Sequence, residues 1–239
     1  MKWASAVSER ADLAAAVAEA AALLDRQLDG AAPDLVLAFV SPHHAAAYET
    51  LPAVVAASFG GAHLMGCSAR GVIGAGHEVE ERAALSLTAA VLPGVQLRPL
   101  DLDGDGLPAP DDAAGWQEVV GVSPGEDPCF ILLCDPFSVD ADLIIAGLDS
   151  AYPAGRKVGG LASGGAPPSV NVLYSGGRAR GDGAVGVALY GDVILDTIVA
   201  QGCRPIGAPM PVTRVEGNII RELNRKRPVD VLRALHDSL

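Results

Sequence analysis

A chain of 239 residues, half of them hydrophobic, is long enough to bury a real core, and with aromatics at only 4% that core must be built from small aliphatic side chains. The formal net charge of −12 opposes phosphate backbones and anionic bilayers, so neither nucleic acid nor a membrane is expected as a partner. No apolar run reaches the length of a membrane span, and Glu9, Arg10, Asp12, Glu19 and Asp25 interrupt the alanine-rich start too often for a signal-peptide core; a cytoplasmic location is expected. Cys67, Cys129, Cys134 and Cys203 include no Cys-x-x-Cys pair and read as free thiols.

In chain order, Asp12 caps an expected amphipathic helix that runs to Leu28 and stops at Gly30. Leu35 to Val40 is a continuous apolar run of strand length, as in a parallel sheet covered on both faces. A helix over His44 to Ala57 and a strand ending at Met65 complete a βαβ unit. Leu85 to Val91 and Val95 to Arg98, joined by Pro93-Gly94, read as a hairpin. Residues 101 to 128 hold eight Asp or Glu among Gly and Pro and read as a surface connection. The pattern then restarts with a strand at Phe130 to Cys134, a helix capped by Ser138 and running to Ala151, a strand entered at Lys157-Val158, and a hairpin of Ala184 to Tyr190 with Val193 to Val199. The two crossovers, Ser41 to Ala62 and Asp135 to Arg156, are both 22 residues long. The expected fold class is therefore α/β, an internally duplicated βαβ-plus-hairpin unit forming mixed sheets with pseudo-symmetric halves.

Each copy ends its second strand in glycine-rich sequence. Gly66, Cys67, Ser68, Arg70 and Gly71 form the first such loop, and Gly159, Gly160, Ser163 and Gly164 the second. Glycine at such density implies positive φ or a close backbone approach, and successive free N–H groups there can cradle an anion, with Arg70 supplying charge for a carboxylate. These nine residues are the candidate ligand-binding set. Ser68 lacks the glycine two positions on that a hydrolase elbow needs, since Arg70 stands there, so no catalytic residue and no enzyme activity is assigned. Gly181 to Gly186 fits a dinucleotide fingerprint but leads into a strand pattern rather than a helix. Asp101 to Asp112 opens like a calcium loop that Pro108 and Pro110 then break; no metal and no cofactor is assigned.

Taken with Val158-Gly159-Gly160, Gly183-Ala184-Val185-Gly186-Val187 and Gln201-Gly202-Cys203-Arg204-Pro205-Ile206-Gly207, the loops give the chain a resemblance to the FIST family, the F-box and intracellular signal transduction domain. The resemblance starts near residue 31 and implies a FIST N-type domain over residues 1–212, including the helix at 12–28. Residues 213–239 resemble the beginning of the C-type domain, which is expected to be truncated and to leave Ile219, Ile220, Leu223, Val229, Val231, Leu232 and Leu235 exposed or covered only by self-association. It implies a sensory domain that binds a small molecule such as an amino acid and reports to a separate signalling protein. Two other readings stay open: a protein-interaction scaffold whose glycine loops serve packing, and a small-molecule hydrolase using Cys67 or Ser68.

Overall fold

In the computed structural model, which describes residues 1–165, 171–199, 202–217 and 219–237, the apolar run Leu35–Val40 is a strand with both faces covered. Val36, Ala38 and Val40 face a helical layer while Leu35, Leu37 and Phe39 face a second sheet. Burial on both sides removes any need for polar alternation. The first of two units, Met1–Thr197, carries this architecture. Its elements are β1 (Lys2–Ser8), α1 (Leu13–Gln27), β2 (Leu35–Val40), α2 (Leu51–Phe59), β3 (His63–Ser68), β4 (Gly71–Gly74), β5 (His77–Glu80), β6 (Leu85–Val91) and β7 (Val95–Leu102). There follow α3 (Ala113–Val120), β8 (Cys129–Cys134), α4 (Ala141–Ala151), β9 (Lys157–Leu161), β10 (Leu173–Ser175), β11 (Arg178–Arg180) and β12 (Ala184–Gly191).

One sheet has the order β1-β6-β2-β3-β10-β11 and the other β7-β12-β8-β9. Each contains one parallel pair, β2 with β3 and β8 with β9, bridged by the two crossovers of equal length. Phe130, Leu132 and Cys134 point outward under α3 and α4, whereas Ile131 and Leu133 join Met65, Cys67 and Val187 between the sheets. The unit is thus layered helix, sheet, sheet, helix, with small aliphatic side chains filling each interface.

Several expectations change. Neither hairpin forms: β6 is flanked on both edges by β1 and β2, and β12 by β7 and β8, so β7 crosses to the other sheet and residues 193–199 add no strand. The acidic stretch is not wholly surface, because α3 lies in it, capped by Asp112, with Trp116 buried and its indole N–H donating to the Ala109 carbonyl at 3.1 Å. The first crossover begins as a 3-10 segment, Pro42–Thr50, before α2. Asp140, not Ser138, caps α4, accepting from the Asp142 and Leu143 amides. Asp12 does cap α1, through the Ala15 amide.

The second unit, Ile198–Leu239, holds a ribbon of β13 (Val212–Glu216) and β14 (Ile219–Leu223) followed by α5 (Pro228–His236). Of the seven apolar residues expected to be uncovered, Ile219, Ile220, Val229 and Leu232 are exposed, Leu223 and Leu235 are half-buried, and Val231 is buried, so the expectation fails for Val231. Ala200, Gln201 and Asn218, cited in the resemblance or beside it, lie outside the described residues. Among the described residues no helix is long and apolar enough to cross a membrane.

Candidate functional site

The two glycine-rich stretches, nearly a hundred residues apart in sequence, meet at the carboxyl ends of the parallel strands. β3 ends at Ser68, which is fully buried; its hydroxyl accepts from the Val172 amide at 3.0 Å. The Ser68 carbonyl in turn accepts from both the Ser163 and Gly164 amides at 3.2 Å. The Ser163 hydroxyl accepts from the Arg70 amide, also at 3.2 Å. Gly164 has no side chain because there is no room for one: a Cβ would lie 2.5 Å from that of Ser68. The carboxyl ends of parallel strands are where open α/β sheets leave crevices for ligands.

Above this junction lies a cleft of about 390 Å³ lined by Pro42, His43, Arg70, Glu81, Ser163, Gly164 and Gly165. It continues over Gly71, Ile73, Glu78 and Glu80 on the β4–β5 ribbon, which is anchored through Val72 and Val79 onto Val7, Phe39 and Ala69. The Arg70 guanidinium has no ion pair among the described residues, nor have the Glu78, Glu80 and Glu81 carboxylates. Glu81 stands at φ 57°, a left-handed conformation that side chains rarely adopt. The cleft therefore offers one cation and several anions to the same small volume.

Of the nine residues in the expected ligand-binding set, Arg70, Gly71, Ser163 and Gly164 line the cleft and Ser68 forms its floor. Gly66 and Cys67 lie back inside β3. Gly159 and Gly160 lie in β9, beside a different groove, more apolar, shared with Leu132, Ile145 and Leu161. Gly66 and Gly159 do not need positive φ; each is a strand residue where a Cβ would overlap the partner strand's carbonyl oxygen, that of Ala38 or Leu132. Nor do the loops offer a nest of free amides. The Arg70, Ser163, Gly164 and Gly165 N–H groups are all spent on internal acceptors, so recognition falls to side chains. Sequence reasoning missed His43, the three glutamates and Gly165; the alternation of His77–Glu80 was the available signal for a ribbon there.

Cys67 is poorly suited to nucleophilic chemistry, since burial between the sheets pushes its thiol up to about 12. The Ser68 hydroxyl accepts from the Val172 amide, and among the described residues no histidine is bonded to either Cys67 or Ser68. Behind them, burial also raises Tyr48 to about 12, with the Ser68 hydroxyl pulling weakly the other way, and raises Tyr174 further. Asp103, from the calcium-like stretch, pairs with Arg180 instead. Among the described residues no cluster of three or more His, Cys, Asp or Glu is disposed to hold a metal.

Residues 34–226 match the FIST N domain family. The chain is 33% identical over 229 residues to the uncharacterized protein Rv0628c of Mycobacterium tuberculosis, an alignment covering 96% of this chain and 58% of that protein. It is 28% identical over 228 residues to the uncharacterized protein Mb0898c of Mycobacterium bovis, covering 95% and 57%. The chain thus spans less than two-thirds of the length of the curated relatives it matches.

Proposed function

Because the chain belongs to the FIST N domain family, we propose that its first unit is a small-ligand sensory domain that binds in the cleft between Arg70 and Ser163–Gly165. The observation that carries this reading is the juxtaposition, over a floor made by both loops, of a guanidinium and several carboxylates that have no ion pair among the described residues. An α-amino acid presents one carboxylate and one ammonium. Arg70 suits the former through a two-pronged, charge-assisted hydrogen bond, and Glu78, Glu80 or Glu81 suits the latter. Occupancy would be read by a separate signalling protein in the cytoplasm.

A ligand that binds only the folded chain must raise its melting temperature. Screening the free amino acids by thermal shift is expected to yield at least one stabilising member. Arg70→Ala should abolish that shift while leaving the ligand-free melting temperature unchanged, because the side chain is exposed and its guanidinium has no ion pair among the described residues. A shift that survives Arg70→Ala, or no shift from any member, contradicts the proposal.

A protein-interaction scaffold is the second reading, favoured by the exposure of Ile145, Val158 and Leu161 along α4 and β9. Under it, Leu161→Lys would weaken association with the signalling protein and Arg70→Ala would not.

A further inference from the structure

We infer that Asp135 and Asn171 are a positioning pair that holds the Ala162–Gly165 segment against Ser68 and so sets the geometry of the cleft; the functional weight of this inference rests on the ligand-binding reading above. Both side chains are nearly inaccessible, at 3% and 1% exposure. Asn171 uses each of its polar atoms. Its Nδ2 donates to Asp135 Oδ1 at 2.8 Å and to the Ala162 carbonyl at 3.2 Å, while its Oδ1 accepts from the Gly165 amide at 2.6 Å. The second Asp135 oxygen accepts from the Ser138 hydroxyl at 2.6 Å, and that hydroxyl accepts from the Gly183 amide at 2.8 Å. The Asp135 amide donates to the Gly183 carbonyl, and the Ala162 amide to the Cys134 carbonyl.

The consequence is mechanical. Asn171 grips both ends of a four-residue segment, and Asp135, at the end of β8 and tied to the start of β12, fixes Asn171 to the second sheet. The same segment donates two amides to Ser68 in the first sheet. A carboxylate buried among neutral donors, with no ion pair among the described residues, carries a desolvation cost that a purely apolar packing would avoid. What the cost secures here is the register of Ser163 over Arg70.

The test is amide hydrogen exchange by NMR on the full chain without ligand, so that failure of the amino-acid screen and failure of this inference are separate results. Asn171→Asp opposes two carboxylates and removes both donors. It should speed exchange at Ser163, Gly164, Gly165 and Arg70 by about tenfold or more while leaving the β8 amides unchanged. The swapped double variant Asp135→Asn with Asn171→Asp restores a donor facing an acceptor across the pair and keeps the acceptor for the Gly165 amide, but leaves the Ala162 carbonyl without its donor; it should recover part of the protection, at Gly165 above all. If Asn171→Asp does not fold, Asn171→Ser is read in the same way. Unchanged exchange in the loop, equal acceleration in loop and β8, or no recovery in the swapped variant would overturn the inference.

Discussion

β3 and β9 occupy corresponding places: each ends a 22-residue crossover, each runs parallel to the strand before it, and each carries a glycine whose missing Cβ clears the neighbouring carbonyl. Yet β3 is buried from Leu64 to Ser68, with β10 bonded along its far side, whereas β9 is an edge strand exposed from Val158 to Leu161. The same local pattern has two outcomes because a strand's environment is decided by what fills the next place in the sheet. In the first sheet the filler comes from the other half of the sequence: β10 is reached only after β9. That exchange also delivers Val172 to Ser68 and Asn171 to Asp135, and builds the cleft floor from both halves.

The largest effect that could break this comparison concerns the two strand glycines. Gly66→Ala has no free side toward which to relax and is expected to cost about 3 kcal/mol or more, while Gly159→Ala, on an edge that can shift outward, should cost about 1–2 kcal/mol. Gly160→Ala meets nothing within 4 Å and should stay within about 0.5 kcal/mol of the parent. Urea denaturation measures all three, and equal losses at Gly66 and Gly159 would mean that edge and interior do not differ as described. Next in size is Ser68→Ala, which strands the buried Val172 amide; about 1–3 kcal/mol should be lost. A neutral result would show that the hydroxyl does not tie the halves together.

A smaller, pH-dependent effect sharpens the same contrast. His44 and His63 both lie in the first half, and burial lowers the pKa of each, for His44 with the neighbouring His43 charge adding to it. The corresponding crossover, Asp135 to Arg156, has no histidine. Burial in the folded state disfavours the protonated rings, while the unfolded chain takes up protons near pH 6.5. Their contribution is therefore complete above about pH 6.5 and is lost as pH falls from there toward the lower folded values. His44→Gln should flatten the fall in stability between about pH 7 and pH 5. An unchanged slope would place the acid sensitivity elsewhere.

Much of the fold was legible in the sequence because its central strands are long apolar runs. Leu35–Val40, Leu85–Val91 and Phe130–Cys134 could hardly be anything else, and Asp12 marked the first helix. β1 was not legible, since its inward positions are Ala4, Ala6 and Ser8, too small to register as hydrophobic alternation. Missing β1 produced the mistaken hairpin, because it is β1 that occupies the edge of β6. Trp116 and Val120, four apart between Asp112 and Gly121, did signal a helix, and the surrounding acids masked it. At the site, Arg70, Ser163 and Gly164 were visible as loop residues. Asp135 and Asn171 were not, because a buried pair separated by 36 positions acquires its role only when two sheets are stacked.

If the proposed function is right, both loops form one binding cleft. Titrating the ¹⁵N-labelled chain with the amino acid that gives the largest thermal shift, and mapping the amide signals that move, tests it most directly. The moving signals should cluster at Arg70, Gly71, Glu81 and Ser163–Gly165, from both loops at once. Movement confined to one loop, or centred on Ile145, Val158 and Leu161 beside β9, would contradict it.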